Sequence, residues 1–413
     1  MKFEQYHIAT ELKRSLDELG FKKPTDIQFK AIGPVLQGND VLAVAQTGTG
    51  KTAAFVIPVL HKLMYIKNPP KQREAKCLVM VPTRELAIQI AKVFRTIGKY
   101  TKLKTTALLG GVEQEHQIEQ LANGTDVLIA TPGRMFDLIY QKKLDLNKTE
   151  ILVLDEADLM LDYGFIKDIQ DVIKFLPDYR QTLFFSATIN SEIKEIAYGI
   201  VRNPIRIQIS PQDPISKNIT HFVAHIEMDD KRYFLERLVT EHPEAKILIF
   251  VRTKVRAERV ASAMERVQIK ALTMHSGKDQ SERAEIMDSF KNGIVKLLIT
   301  TDLNARGVDI PNVDYVVNYD LPEEAENYVH RVGRTGRGVQ KGIAYSFCSK
   351  DELPVLKTIE QYLGNKINVL DIDPETYSDT ILFTEEVNDS NWKALLKENE
   401  ALEAKKSKKS KKK

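Results

Sequence analysis

The stretch that most constrains this chain is residues 41–52, VLAVAQTGTGKT. Residues 41–45 are a short apolar run of the length of a buried parallel strand. Residues 46–50 then supply two glycines and small polar side chains, and Lys51-Thr52 opens a run (AAFVIPVLHKLM) with the look of a helix. Strand, glycine loop, Lys-Thr and helix make the phosphate cradle of a P-loop. Backbone N–H groups turn inward on an anion, the helix N-terminus adds its dipole, the lysine reaches the β- and γ-phosphates and the threonine hydroxyl ligates Mg²⁺. The first position of the usual pattern is Ala45 instead of glycine.

At 413 residues the chain is too long for one ordinary domain, and its 43% hydrophobic and 28% charged content is that of a globular protein. The N-terminus has no uninterrupted apolar core, so no signal peptide is expected. No apolar run reaches the ~18 residues of a membrane span. Cys77 and Cys348 sit inside apolar, strand-like runs, without metal-ligand spacing or a disulfide framework, which fits core packing in a reducing cytoplasm. The net charge of +3 misleads: the last nine residues, KKSKKSKKK, hold seven lysines, and residues 1–404 alone carry −4. A nucleic-acid site in the body must then be a local basic surface. The tail reads as disordered, either attractive to polyanions or merely solvated.

Upstream of the P-loop, residues 9–20 show leucines at 12, 16 and 19, a helical stripe closed by Gly20. Residues 20–28 (GFKKPTDIQ) start a second helix, with Pro24 at its first position. Gln28 there is either a surface residue or an amide that reads adenine N6 and N7 together. Phe3 either stacks on the base or staples the helix. Further strands end in Pro82-Thr83-Arg84, Gly110-Gly111 and Thr131-Pro132-Gly133-Arg134. Each puts small residues, hydroxyls or guanidinium groups at the carboxyl edge of a parallel sheet, where such sheets bind ligands, and these are donors that grip sugar-phosphate.

The run ILVL (151–154) followed by Asp155-Glu156-Ala157-Asp158 delivers two carboxylates from a hydrophobic strand. Behind a P-loop, Asp155 would hold Mg²⁺ and Glu156 would polarise the attacking water. Another strand, QTLFFS (181–186), runs into Ala187-Thr188, whose hydroxyl residues either couple the acidic pair to a neighbouring surface or form a simple turn. Composition shifts at residues 208–219, which read as a linker, and the β/α alternation then restarts with apolar runs at 245–251, 267–274, 295–300, 313–318 and 342–347. This second parallel sheet has neither P-loop nor acidic pair. Its contribution is HRVGRTGR (330–337), three arginines and a histidine that are costly to bury, have no nearby acidic run to pair with and suit a phosphate.

With these motifs in order, residues 3–365 resemble the DEAD-box ATP-dependent RNA helicases, in which Ala45 is usual. The resemblance implies two tandem RecA-like domains, each a parallel β-sheet flanked by helices: 1–207, a linker at 208–218, 219–370, and an extension at 371–413 ending in the lysine tail. It implies adenine recognition by Phe3 and Gln28. Thr47, Gly48, Thr49, Gly50, Lys51 and Thr52 would hold the triphosphate, Thr52 and Asp155 the Mg²⁺, and Asp309 would reach the ribose. Lys51, Asp155, Glu156, Arg334 and Arg337 would carry hydrolysis, with Ser186 and Thr188 coupling it to strand separation. Pro82, Thr83, Arg84, Gly111, Thr131, Pro132, Arg134, Arg252, Arg283 and Thr301 would track the RNA backbone, which carries little sequence preference. RNA and ATP together would close the cleft, with closure bending one RNA strand and so melting a short duplex locally or remodelling an RNA–protein complex, and RNA-stimulated ATP hydrolysis would be coupled to it. An ATP-gated RNA clamp with slow hydrolysis shares every motif, and a DNA-remodelling motor is disfavoured by the Q motif (20–28) and the DEAD spelling. The compact core and short basic tail resemble the bacterial RhlE-type helicases. A cytoplasmic monomer without membrane contact, with ribosomal or RNA-degradation partners, is the corresponding expectation.

Overall fold

In the computed structural model of the chain, the residues described are 2–45, 48–188, 191–209, 215, 218–302, 313–336 and 341–382. They form two compact units that part just before Ile215. Among the sites expected from the sequence, Thr47, Asp309 and Arg337 lie outside the described residues, as do most of the linker and the lysine tail.

The first unit is a seven-stranded, wholly parallel sheet. Its strands are β1 (Val41–Ala45), β2 (Ala75–Met80), β3 (Thr105–Leu108), β4 (Thr125–Ala130), β5 (Ile151–Leu154), β6 (Gln181–Ser186) and β7 (Ile205–Ile209), in the spatial order β3-β4-β2-β5-β6-β1-β7. β1, β2, β5 and β6 are buried along their whole length, which is why they read as apolar runs without alternation. The pleat still sorts side chains: Phe185 packs with Phe55 and Phe94 on one face, while neighbouring Phe184 packs with Leu154 and Met160 on the other. Because every strand runs the same way, the ends of β1 to β6 deliver the P-loop, the Pro-Thr-Arg, Gly-Gly and Thr-Pro-Gly-Arg turns, the acidic motif and Ser186–Thr188 to one edge of the sheet.

The helix Asp26–Leu36 begins two residues later than the sequence suggested. Thr25 is its N-cap, its N–H donating to Gln28 Oε1 at 3.0 Å, and Pro24 precedes the cap. The helix Thr10–Glu18 buries Leu12 and Leu16 but leaves Leu19 42% exposed. β7 takes in Gln208 and Ile209, so pairing with β1 continues two residues into the stretch expected to be linker.

The second unit repeats the architecture with β8 (Ile219–His225), β9 (Ile247–Phe250), β10 (Ala271–Met274), β11 (Leu297–Thr300), β12 (Tyr315–Asn318), β13 (Gly342–Cys348) and β14 (Asn368–Val369), ordered β10-β11-β9-β12-β13-β8-β14 and again parallel. β8 and β14 were not read from the sequence. β8 (ITHFVAH) carries two histidines and a threonine and follows the polar run directly, while β14 is two residues long. Both cysteines are buried and free. Among the described residues, no helix is long and apolar enough to cross a membrane.

Candidate nucleotide site and nucleic-acid edge

β1 ends in the P-loop. Gly50 closes it as the N-cap of the helix Lys51–Met64, at φ +92°. Only glycine adopts that conformation without strain, and a Cβ there would lie 2.5 Å from Gln28 Nε2. Gly48 also has a positive φ, +83°, with open space around it. Lys51 is 6% exposed, and its Nζ is buried with no hydrogen-bond partner among the described residues. A buried ammonium lacking an acceptor at a helix N-terminus is a site made for an anion. The cradle fits a nucleotide's phosphates.

Gln28 is brought to this cradle rather than left on the surface. It is 4% exposed, and its amide spans Thr25 N–H and the Gly50 carbonyl, to which Nε2 donates at 3.2 Å. One amide N–H and one carbonyl lone pair remain for a base. Phe3 is different: it is 3% exposed, with its ring against Tyr6 (centroids 6.0 Å apart) and Phe21 (5.8 Å). In this conformation it packs the segment and offers no open face to a base, so of the two readings the staple is the one seen.

β5 delivers the acidic pair. Asp155 is 2% exposed, and burial pushes its carboxyl up to about 7 against the pull of the Lys51 ammonium, with Glu156 and Asp158 adding to the rise. A dication beside it would reverse that balance. Among the described residues no group of three or more acidic, histidine or cysteine side chains forms a metal cage. Mg²⁺ is usually held by one or two protein oxygens together with phosphate and water, and the Asp155 carboxylate and Thr52 hydroxyl are the oxygens that would serve. Glu156 sits at φ +52°, ψ +51°, a left-handed conformation costing a glutamate about 1–2 kcal/mol. Strain at the residue expected to polarise water is the kind that functional sites retain.

Asp158 is the residue that sequence reasoning left without a role. It is 8% exposed, and its Oδ2 accepts from Ala187 N–H (3.1 Å), Thr188 N–H (3.1 Å) and the Thr188 hydroxyl (3.3 Å). The turn after β6 is thus tied to the acidic motif through its fourth residue. The signal was in plain view as the last letter of DEAD. The Ser186 hydroxyl, in contrast, is buried with no hydrogen-bond partner among the described residues.

Along the same edge, Pro82 is buried and Thr83 caps the helix Arg84–Ile97, its hydroxyl accepting from Leu86 N–H at 3.2 Å. Arg84 lies against Gly110 and Gly111. Gly111 has φ +71°, and a Cβ on it would collide with the guanidinium. Thr131 and Pro132 open the helix Pro132–Tyr140, from which Arg134 reaches Val112 O with Nη2 at 2.9 Å. Its Nη1 is buried without a partner among the described residues. Two guanidinium groups therefore flank one glycine turn.

In the second unit the structure corrects the reading of residues 330–337. Arg331 is 1% exposed and does have an acid to pair with. It meets Asp302 in a bidentate bridge (Nε–Oδ1 2.5 Å, Nη2–Oδ2 2.7 Å), donates from Nη1 to Asp320 O at 2.7 Å and lies over the Phe250 ring. Asp302 is 29 residues away in sequence, so no local inspection would pair them. Arg334 is 4% exposed, its Nε donating to the His330 carbonyl at 3.2 Å. Arg252 is held by Glu352 (Nη2–Oε1 3.0 Å) rather than standing free. Thr301 is 9% exposed and Arg283 lies on the helix Gln280–Lys291.

A family model for the DEAD/DEAH box helicases matches residues 25–196, and one for the helicase conserved C-terminal domain matches residues 230–339. The chain is 38% identical over 384 residues to an ATP-dependent RNA helicase RhlB from Shewanella sediminis, covering 92% of this chain and 88% of that protein. The chain belongs to the DEAD-box RNA helicases. Membership makes it an ATP-hydrolysing enzyme, and the two parallel sheets are the RecA-like pair of that family. It is also 37% identical to an ATP-dependent RNA helicase DbpA from Bacillus subtilis, over 89% of this chain and 76% of that one. Among solved structures, S. cerevisiae Dbp5 bound to RNA and ADP BeF3 superimposes with a TM-score of 0.80 at 31% identity, covering 94% of this chain and 99% of that one. Mss116 bound to ssRNA and UDP-BeF gives 0.81 at 28% identity, covering 92% and 81%.

Proposed function

We propose that this DEAD-box protein uses RNA-stimulated hydrolysis of ATP to separate short RNA duplexes or remodel RNA–protein complexes locally, with little sequence preference. The observation that carries the reading is the buried Lys51 ammonium, with no hydrogen-bond partner among the described residues, together with Asp155 and the strained Glu156, at the ends of β1 and β5, two parallel strands on either side of β6. In this reading Lys51 and the N–H groups of the glycine loop bind the phosphates, and Thr52 and Asp155 hold Mg²⁺. Mg²⁺, when bound with the nucleotide, offsets phosphate charge. Glu156 orients the attacking water and takes up its proton. Arg334 and Arg337 offset the charge that develops on the γ-phosphate, and Asp309 meets the ribose side. Gln28 uses its remaining donor and acceptor on adenine.

Arg84, Gly111, Arg134, Thr301, Arg283 and Arg252 grip the RNA backbone, and Asp158 transmits the state of the acidic motif to Ser186 and Thr188. The linkage is reciprocal: RNA tightens ATP binding by the factor with which ATP tightens RNA binding. RNA bound to Dbp5 and Mss116 supports the choice of polynucleotide, and relatives named as helicases favour unwinding over a clamp. A monomer in the cytoplasm, with ribosomal or RNA-degradation partners and an RhlE-type assignment, completes the proposal. Strand displacement of a short, labelled RNA duplex tests it. ATP-dependent displacement by the intact chain, lost in Glu156→Gln, is expected, and tight RNA binding with no displacement would return the clamp.

A further inference from the structure

Glu352 belongs to none of the motifs in the sequence, yet it is 2% exposed and its carboxylate is saturated by donors from three separate parts of the second unit. Oε2 accepts from Lys231 Nζ at 2.5 Å, Ser349 N–H at 3.0 Å and the Ser349 hydroxyl at 3.1 Å. Lys231 is itself fully buried. These contacts fix the carboxylate within the core. Oε1 faces the other way, accepting from Leu321 N–H at 3.1 Å and from Arg252 Nη2 at 3.0 Å. Arg252 Nη2 also donates to Leu321 O at 3.3 Å, whereas Nε and Nη1 donate to no described residue and the side chain stays 37% exposed.

The arginine is thus gripped by one nitrogen, with the rest of its fork unengaged by any described residue. An arginine on the surface carries several freely rotating torsions, and fixing them in advance removes most of the entropy lost on meeting a phosphate. We propose that Glu352 is a positioning residue for RNA binding, holding the Arg252 guanidinium ready for a backbone phosphate. This rests on the reading of Arg252 as a phosphate contact.

A purely structural Glu352 would serve only to neutralise Lys231 and to satisfy the Leu321 and Ser349 donors, and that role separates from the positioning of Arg252 in one set of variants of the full chain. Lys231→Met with Glu352→Met removes the buried pair together, conserving volume and neutrality, and leaves Arg252 without its anchor. The readouts are ATPase against concentration of a single-stranded RNA, ATPase against ATP, and thermal denaturation. With a melting temperature near that of the parent, the RNA concentration for half-maximal stimulation should rise about five- to thirty-fold, the factor that freeing one arginine's rotamers is worth. kcat at saturating RNA and the KM for ATP should hold. Arg252→Ala should raise the RNA requirement at least as much, and adding it to the double variant should change little more.

Should the double variant not fold, Glu352→Asp carries the test. It keeps the negative charge for Lys231 but shortens the reach to Arg252, and a raised RNA requirement is again expected. If Arg252→Ala raises the RNA requirement and the folded Glu352 variants do not, the proposal is overturned. If Arg252→Ala itself leaves it unaltered, the phosphate-contact reading falls and takes the proposal with it.

Discussion

Replacing Asp158 by alanine should cost more than any other single change in the acidic motif, in stability and in coupling. One oxygen, Oδ2, accepts two backbone N–H groups and a hydroxyl from the turn after β6, at 3.1, 3.1 and 3.3 Å, in a site where the aspartate is only 8% exposed. Alanine leaves two N–H donors without an acceptor, at about 1–3 kcal/mol each, and the hydroxyl can rotate to a new partner. The expected loss is about 3–5 kcal/mol, less if water enters the vacated space. Thr188→Ala removes only the longest of the three bonds and should cost about 0.5–1.5 kcal/mol. The double variant should show a coupling of about 0.5–1.5 kcal/mol between the two positions. Urea unfolding followed by hydrogen exchange of first-unit peptides reads the stability, since a two-unit chain need not unfold in one step. Duplex separated per ATP hydrolysed reads the coupling and should fall in both variants. Asp158→Asn, which keeps an acceptor without the charge, should lie between. A loss for Asp158→Ala no larger than for Thr188→Ala, with the yield per ATP unchanged, would refute the reasoning.

Gly50→Ala should leave the fold intact but weaken nucleotide binding at least about tenfold. It strains a φ of +92° by about 1–2 kcal/mol and pushes Gln28 from its place, 2.5 Å from the new Cβ; titration with a fluorescent nucleotide checks it, and parental affinity would contradict it. Arg331→Ala strips a buried bidentate partner from Asp302 and should cost about 3–5 kcal/mol in the second unit, whereas a loss below about 1 kcal/mol would mean that the bridge is worth no more than a surface pair. His61 accepts the Ala9 N–H at Nδ1, and burial pulls its pKa below the usual imidazole value. The unfolded chain therefore binds the proton more readily, so the first unit should keep its full stability above about pH 6.5 and lose some as pH falls through that value; His61→Leu should flatten that limb of a pH–stability curve. Removing residues 405–413, with their seven lysines, should weaken RNA binding and flatten its salt dependence, by up to about 0.7 in log–log slope per lysine engaged on single strands. An unchanged slope at low salt would show that the tail stays in solvent.

Much of the fold was legible because parallel strands buried on both faces announce themselves as apolar runs, as β1, β5, β6 and β9 do. β8 was not, since its strand carries His221, His225 and Thr220 and emerges from a polar run. The ligand-facing edge was legible for the same reason that the motifs are short: each is one strand end and the turn after it. What the sequence hid are partnerships between those turns. Asp158 and Thr188 are 30 residues apart, Arg331 and Asp302 29, Arg252 and Glu352 100. A charged residue gives no local sign of whether it will be buried with a partner or left to meet a ligand, and Arg331 went to the first use. Phe3 shows the converse: an aromatic next to a nucleotide motif is also an apolar side chain, and its neighbours Tyr6 and Phe21 claim it.

The central claim is that the Lys51–Asp155–Glu156 site is a nucleotide-hydrolysing centre answering to RNA. Steady-state ATPase of the intact chain, measured alone, with RNA and with an equal mass of single-stranded DNA, tests it most directly, with Glu156→Gln as control. Turnover raised by RNA, little raised by DNA and abolished in the control is expected. A rate indifferent to RNA, or one that survives the loss of Glu156, would contradict it.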